Sequence, residues 1–180
     1  MGRYVAFLRG INVGGRVTIA MAELREILAG AGYTEVSTLL NSGNAIFTVG
    51  GKTNAAAVAR VVEGAIEARF GRAVPCLVRS DKELAAILAH DPFKGVATDR
   101  ARYMVTFLSA EPDRAKLAAI KPEDYLPEQF VAHGREIYLW CPNGLRDTAF
   151  GNVFFEKKLG VTATARNWNT VTKALAAAQR

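Results

Sequence analysis

Two short segments, Tyr4–Leu8 and Tyr103–Leu108, read as strands that are apolar on both faces. Successive side chains of a strand point to opposite sides, so Tyr4, Ala6 and Leu8 oppose Val5 and Phe7, and Tyr103, Val105 and Phe107 oppose Met104 and Leu108. A sheet with one wet face alternates apolar with polar residues. These segments do not, so each sheet is expected to be covered on both sides, by the other half of the chain or by a partner. The same pattern counts against an RNA-recognition sheet, which presents bare aromatics on its central strands. Phe47 and Tyr138, the candidate stacking rings, read as core.

The segments around these strands repeat in order. After Tyr4–Leu8, Met21, Leu24, Ile27 and Leu28 recur at helical spacing, and Gly30 and Gly32 close that helix. Val36–Leu40 and Ala45–Val49 form a hairpin pattern around Asn41-Ser42-Gly43-Asn44. Thr53 or Asn54 can cap a helix running to about Arg69, and Val74–Val78 reads as a strand. Ser80 followed by Glu83 has capping-box spacing for a connecting helix over Asp81–Ala89, and 94–102 is loop. After Tyr103–Leu108 come a helix over Pro112–Ile120 and a hairpin of Phe130–Ala132 and Ile137–Trp140 turning near Gly134. A helix over Thr148–Leu159, a strand over Val161–Ala165 and a terminal helix over Asn167–Ala178 complete the chain. Each half is thus β-α-β-β-α-β, and the expected fold is α+β with two tandem ferredoxin-like halves packed together, 1–80 and 103–180, joined by 81–102.

A chain of 180 residues, half of them apolar, buries roughly 70% of its unfolded surface without disulfide or metal staples. No apolar run approaches the ~18 residues of a membrane span, and no secretory leader precedes Arg9, so no membrane is expected. Cys76 and Cys141 stand far apart with no metal-ligand spacing, which suits a reducing, cytoplasmic setting. The net charge is +6, spread as nine basic and five acidic side chains over 1–80 and fourteen and twelve over 81–180. Such a surface favours anionic partners, although no run of like charge marks a nucleic-acid arm.

The segment Arg9-Gly10-Ile11-Asn12-Val13-Gly14-Gly15-Arg16 leaves a strand and precedes a helix. Its glycines free the backbone for close approach, a helix N-terminus presents unpaired N–H groups, and Arg9 and Arg16 can grip phosphate or carboxylate. It fits neither the P-loop nor the dinucleotide fingerprint, so no cofactor is implied, and it also reads as a flexible turn with solvated arginines. If the first strand lies antiparallel beside the third, this loop shares a sheet edge with Ser42, Gly43 and Asn44, giving a polar corner. Arg166-Asn167-Trp168-Asn169-Thr170 is a second cluster, readable as a helix cap with a packed indole or as another anion-facing helix start. His90, expected at a helix end, and His133, expected in a hairpin turn, have no ligand-spaced partner, so no metal site is expected. Cys141 reads as a packing residue, and no acid, base or nucleophile for turnover stands out.

Leu8-Arg9-Gly10-Ile11-Asn12-Val13-Gly14-Gly15, Met21-Ala22-Glu23-Leu24-Arg25, Ser42-Gly43-Asn44 with Phe47, and Ala165-Arg166-Asn167-Trp168-Asn169-Thr170-Val171 occur in this order. In these motifs the chain resembles the bacterial domain of unknown function 1697 family over almost its whole length. The resemblance implies a soluble intracellular protein and supplies no catalytic residues. The chain departs from that family's pattern at Leu39 and Asn41, where a Tyr-x-Gln is usual, and at Thr148-Ala149-Phe150, where Ser-Lys-Leu is usual. The expected function is binding of a small anionic ligand or nucleotide at the glycine loop, through Arg9, Gly10, Asn12, Gly14, Gly15, Arg16, Ser42, Gly43 and Asn44. Arg166, Asn167, Trp168 and Asn169 join if the halves bring them close. A nucleic-acid binder and a dimerising scaffold are the alternatives, with an enzyme of unknown reaction as an open runner-up.

Overall fold

The computed structural model describes residues 1–12 and 17–180. Among them are two four-stranded antiparallel sheets and six α-helices, an α+β architecture. The chain divides into two compact units, Met1–Ala86 with Lys173–Arg180, and Ile87–Thr172.

The first unit runs β1 (Gly2–Leu8), α1 (Met21–Gly30), β2 (Thr34–Leu39), β3 (Asn44–Val49), α2 (Ala55–Phe70) and β4 (Cys76–Ser80), with strand order β2-β3-β1-β4. Helix α3 (Asp81–Ala89) follows and carries the chain across the division. The second unit runs β5 (Tyr103–Leu108), α4 (Arg114–Ala118), a 3-10 turn (Pro122–Tyr125), β6 (Gln129–His133), β7 (Glu136–Trp140), α5 (Asn152–Leu159) and β8 (Ala163–Asn167). Its strand order is β6-β7-β5-β8, and α6 (Trp168–Ala178) ends the chain's regular structure.

Local chemistry sets most of these boundaries. Asn54 Oδ1 accepts the Ala57 N–H at 2.9 Å and starts α2. The capping box before α3 is complete: Ser80 Oγ accepts the Glu83 N–H at 3.2 Å, and Glu83 Oε2 accepts the Ser80 N–H at 2.7 Å. Helix α4 begins at Arg114, two residues after the expected start at Pro112, because the Asp113 carboxylate accepts the Ala115 and Lys116 N–H groups. Helix α5 begins at Asn152, four residues later than expected, because Thr148 Oγ1 accepts the Phe150 N–H and holds that stretch in a turn. Strands β4 and β8 each lie two residues further along than the hydropathy suggests. Their registers, Leu8 with Cys76 and Leu108 with Ala163, decide this.

The helices of the first unit pack on the face of β1 that carries Tyr4, Ala6 and Leu8, which cluster with Leu24, Leu28, Val58, Val62 and Ile66. Val5 and Phe7, on the opposite face, are also fully buried. In the second unit Leu108, Ile137 and Leu139 pack with Phe155 and Leu159, while Tyr103, Val105 and Phe107 are buried on the other face. Phe47 stacks on Tyr33 at 4.7 Å and Tyr138 is fully buried, so neither ring has a face open to a base.

The units repeat each other in detail. Leu8 donates its N–H to Gly43 and Leu108 to Arg135, both at 2.8 Å, and the next residues, Arg9 and Ser109, donate to Pro75 and Thr162. Arg79 faces Val5 in β1 and Arg166 faces Val105 in β5. Both arginines are buried, and each donates Nη1 to the carbonyl of the residue before it, at 2.9 and 2.8 Å.

Two outcomes follow. Ser80→Ala removes the start of α3, and urea denaturation should show a loss of about 1 kcal/mol. Cys141 is fully buried, and burial pushes its thiol up to about 11. The folded state therefore holds a proton that the unfolded chain releases at lower pH, so stability should fall as pH rises from about 9 towards 11. Cys141→Ala should flatten that fall in melting curves measured across this range.

Candidate functional site

The corner expected from strand pairing is present at the end of β1. Antiparallel pairing sets Phe7 opposite Asn44, and the Leu8 N–H bonds the Gly43 carbonyl while Arg9 N–H bonds Pro75. The chain therefore leaves the sheet between β3 and β4, beside the β2–β3 turn. Gly43 has φ +75, and a Cβ there would come within 2.6 Å of Ile11 Cδ1 and 2.9 Å of Leu8 Cβ. Only glycine lets the turn lie this close to the departing strand.

Asn12 holds the loop. It sits at φ +56, and its backbone N–H bonds the Val17 carbonyl at 2.9 Å. Its Oδ1 accepts the Ile19 N–H at 2.9 Å, while Nδ2 donates to the Ile19 carbonyl at 2.9 Å and to the Asn41 carbonyl at 2.7 Å. One amide thus ties together the β1 exit, the entry to α1 and the β2–β3 turn. Asn44 is fully buried, and its Nδ2 donates to the Leu39 carbonyl and to Ser42 Oγ. These bonds make both asparagines part of the corner's frame.

Against this frame lies a cleft of about 520 Å³, lined by Asn12, Thr18, Ile19, Ala20, Met21 and Asn41. It opens at the start of α1, whose first residue follows Ala20, a residue with no side chain able to cap. The leading N–H groups of a helix carry partial positive charge and need acceptors from outside the helix. Glu23, the acid of the first turn, is drawn into an ion pair with Arg69 at 2.8 Å. Arg9 is half-buried at the same end of the sheet, next to Gly10 at φ +72. Gly14, Gly15 and Arg16 lie outside the described residues.

The second cluster belongs to the other unit. Arg166 donates to Thr164 Oγ1 and the Ala165 carbonyl, and Asn167 Oδ1 caps α6 by accepting the Thr170 N–H at 2.9 Å. The Trp168 ring stacks on Tyr103 at 4.4 Å, under the Arg100 guanidinium at 5.0 Å, while Asn169 is exposed. Arg100 also bonds Asp91, whose other carboxylate oxygen accepts the Tyr103 hydroxyl at 3.0 Å. Burial, with that bond to Asp91, raises the Tyr103 phenol far above its ordinary range. Sequence reading missed this Asp91–Arg100–Tyr103–Trp168 group because its members are spread over 78 positions, with no periodic signal. His133, expected in the hairpin turn, instead ends β6, and its stacking on His90 at 4.1 Å had no signal in the sequence. Arg79 was missed as well, although Arg79-Ser80 and Arg166-Asn167 share an arginine followed by a helix cap. Among the described residues no group of three or more His, Cys, Asp or Glu side chains could hold a metal ion, and no helix is long and apolar enough to cross a membrane.

A two-sheet α+β protein with a polar corner at the end of its first strand is thus defined. It belongs to the DUF1697 family, described as proteins of unknown function, whose family model matches residues 1–138. The Arg166–Thr170 motif lies beyond the matched segment. A solved structure, that of the conserved bacterial protein SP0830 from Streptococcus pneumoniae, is similar over 98% of both chains, with a TM-score of 0.74 and 24% identity. At that identity the likeness is one of fold. No curated protein matches the chain.

Gly43→Ala tests how closely the corner is built. It forces a Cβ into Ile11 and Leu8 at a positive φ, and a loss of about 2–3 kcal/mol is expected in urea denaturation. A loss below about 0.5 kcal/mol would mean that the turn moves freely away from β1.

Proposed function

We propose that the corner at the end of β1 binds a small anionic ligand, a phosphorylated or carboxylated metabolite or a nucleotide. The observation that carries this reading is the cleft of about 520 Å³ over the start of α1, where the cap position is Ala20, which has no side-chain acceptor. The anion sits against the first N–H groups of α1, with Thr18 and the clamped Asn12–Asn41 pair as its polar wall. Arg9 supplies positive charge from the sheet edge. Among the described residues no acidic side chain lines the cleft.

The rest of the reading is architectural. Each half, 1–80 and 103–180, is a ferredoxin-like repeat, and 81–102 connects them. The support is the β-α-β-β-α-β order of both halves, with the first strand of each between its third and fourth. Cys76 and Cys141 are both buried and form no disulfide, which supports a reducing, cytoplasmic setting.

A thermal-shift screen tests the site with nucleotides, sugar phosphates, small carboxylates and a short single-stranded RNA, on wild type and Arg9→Ala. A ligand at about 100 times its Kd adds about 2.7 kcal/mol, a rise of several degrees for a chain of this size. The rise is expected with at least one small anion in wild type and is lost in Arg9→Ala. A rise that survives in Arg9→Ala, or that appears only with RNA and vanishes with added salt, contradicts the proposal.

A further inference from the structure

The sheets end at β2 and β4 in the first unit and at β6 and β8 in the second. An edge strand whose backbone groups are unpaired is a template for a strand from another chain. The edges at β4 and β8 are closed. Both strands are mostly buried, Glu63 Oε1 accepts the Cys76 N–H at 2.7 Å, and Glu156 Oε1 accepts the Ala163 N–H at 3.1 Å. The edge at β2 is broken. Its register shifts between Thr34 and Ser37, Glu35 stands at φ +50, and the Arg3 guanidinium donates to the Glu35 carbonyl at 3.3 Å.

Strand β6 carries no such device. It pairs with β7 without a break over Gln129–His133 and contains no proline, lysine or bulge. The Leu108 N–H bonds the Arg135 carbonyl, so Arg135, Ile137 and Leu139 turn their backbone groups to β5. Glu136, Tyr138 and Trp140 turn theirs to β6, where they meet His133, Val131 and Gln129. The N–H and carbonyl groups of Phe130 and Ala132 therefore point away from the sheet. Among the described residues nothing in the chain bonds them.

The strand is also its own complement. Reversed about Val131, it sets Phe130 opposite Ala132, a large side chain beside a small one, and Gln129 opposite His133. It holds no Asp, Glu, Lys or Arg, so no like charges oppose each other. We propose that β6 pairs antiparallel with β6 of a second copy of this chain, with Val131 on the twofold axis. Phe130 and Ala132 of the two copies exchange N–H and carbonyl bonds, which uses every outward backbone group of the two residues. The interface is isologous, as a twofold dimer requires.

A short edge makes a small interface, so association is expected in the micromolar range, and sedimentation velocity from about 1 to 300 µM should show the boundary moving from one chain to two. Ala132→Pro removes an outward N–H and spares the bonds to β7, so it should remain a single chain throughout with an unchanged circular dichroism spectrum. Val131→Cys sets two thiols across the axis on Cα atoms about 4.5 Å apart, and mild oxidation should join them in an intermolecular disulfide. In Gln129→Cys the two thiols stand roughly 14 Å apart along the strands, and cross-linking should be at least about tenfold slower. If Ala132→Pro fails to fold, the contrast between the two cysteine variants decides. Wild type that stays a single chain at the highest concentration, a folded Ala132→Pro that still dimerises, or Gln129→Cys cross-linking as fast as Val131→Cys overturns the proposal.

Discussion

The antiparallel pairing of β1 with β3, closed by the Leu8 N–H on the Gly43 carbonyl, is the constraint on which the candidate site depends. It fixes where the chain leaves the sheet, and so which loop meets the β2–β3 turn. Strand register tolerates no slip here, because moving by one residue would turn Tyr4, Ala6 and Leu8 away from the helices. Gly43 is required by the same closeness, since the turn lies against Ile11 and Leu8 with no room for a Cβ. Asn12 then converts the position of the loop into a shape, using three hydrogen bonds of one amide to tie three segments together.

The second unit uses the same device with different side chains. The end of β5 is held by the Arg135 and Thr162 carbonyls as the end of β1 is held by Gly43 and Pro75. Where the first unit buries Asn44 opposite Phe7, the second buries Glu136 opposite Phe107. The backbone scheme has been kept while the chemistry at the strand end has diverged, with Ser109 in place of Arg9. Each unit also buries an arginine on its last strand just before a helix cap, Arg79 before Ser80 and Arg166 before Asn167. Such a guanidinium is stable there only with hydrogen-bond acceptors around it, and the preceding carbonyl supplies one in both units.

The features legible in the sequence were those set by local rules. Ser80 with Glu83 announced a helix start by spacing alone, and Asn54 did so by residue type and position. The corner was legible because strand order and hairpin spacing together place Ser42-Gly43-Asn44 beside Arg9-Gly10. The parts that were not legible depend on distant partners. The residue type of Asn12 does not announce its bonds to Ile19 and Asn41, nor that of Trp168 its stacking on Tyr103. The early start expected for α5 failed because apolar spacing cannot register a threonine hydroxyl that holds the preceding residues in a turn.

The corner is lined by backbone and amide groups at a helix start whose cap position is an alanine. The most direct test of the corner is a backbone-amide NMR titration with inorganic phosphate at low ionic strength. Saturable shifts concentrated on Thr18 and on the Met21, Ala22 and Glu23 amides are the result expected of an anion seated at the start of α1. Shifts spread over the exposed basic side of the molecule, with these amides unmoved, would contradict it.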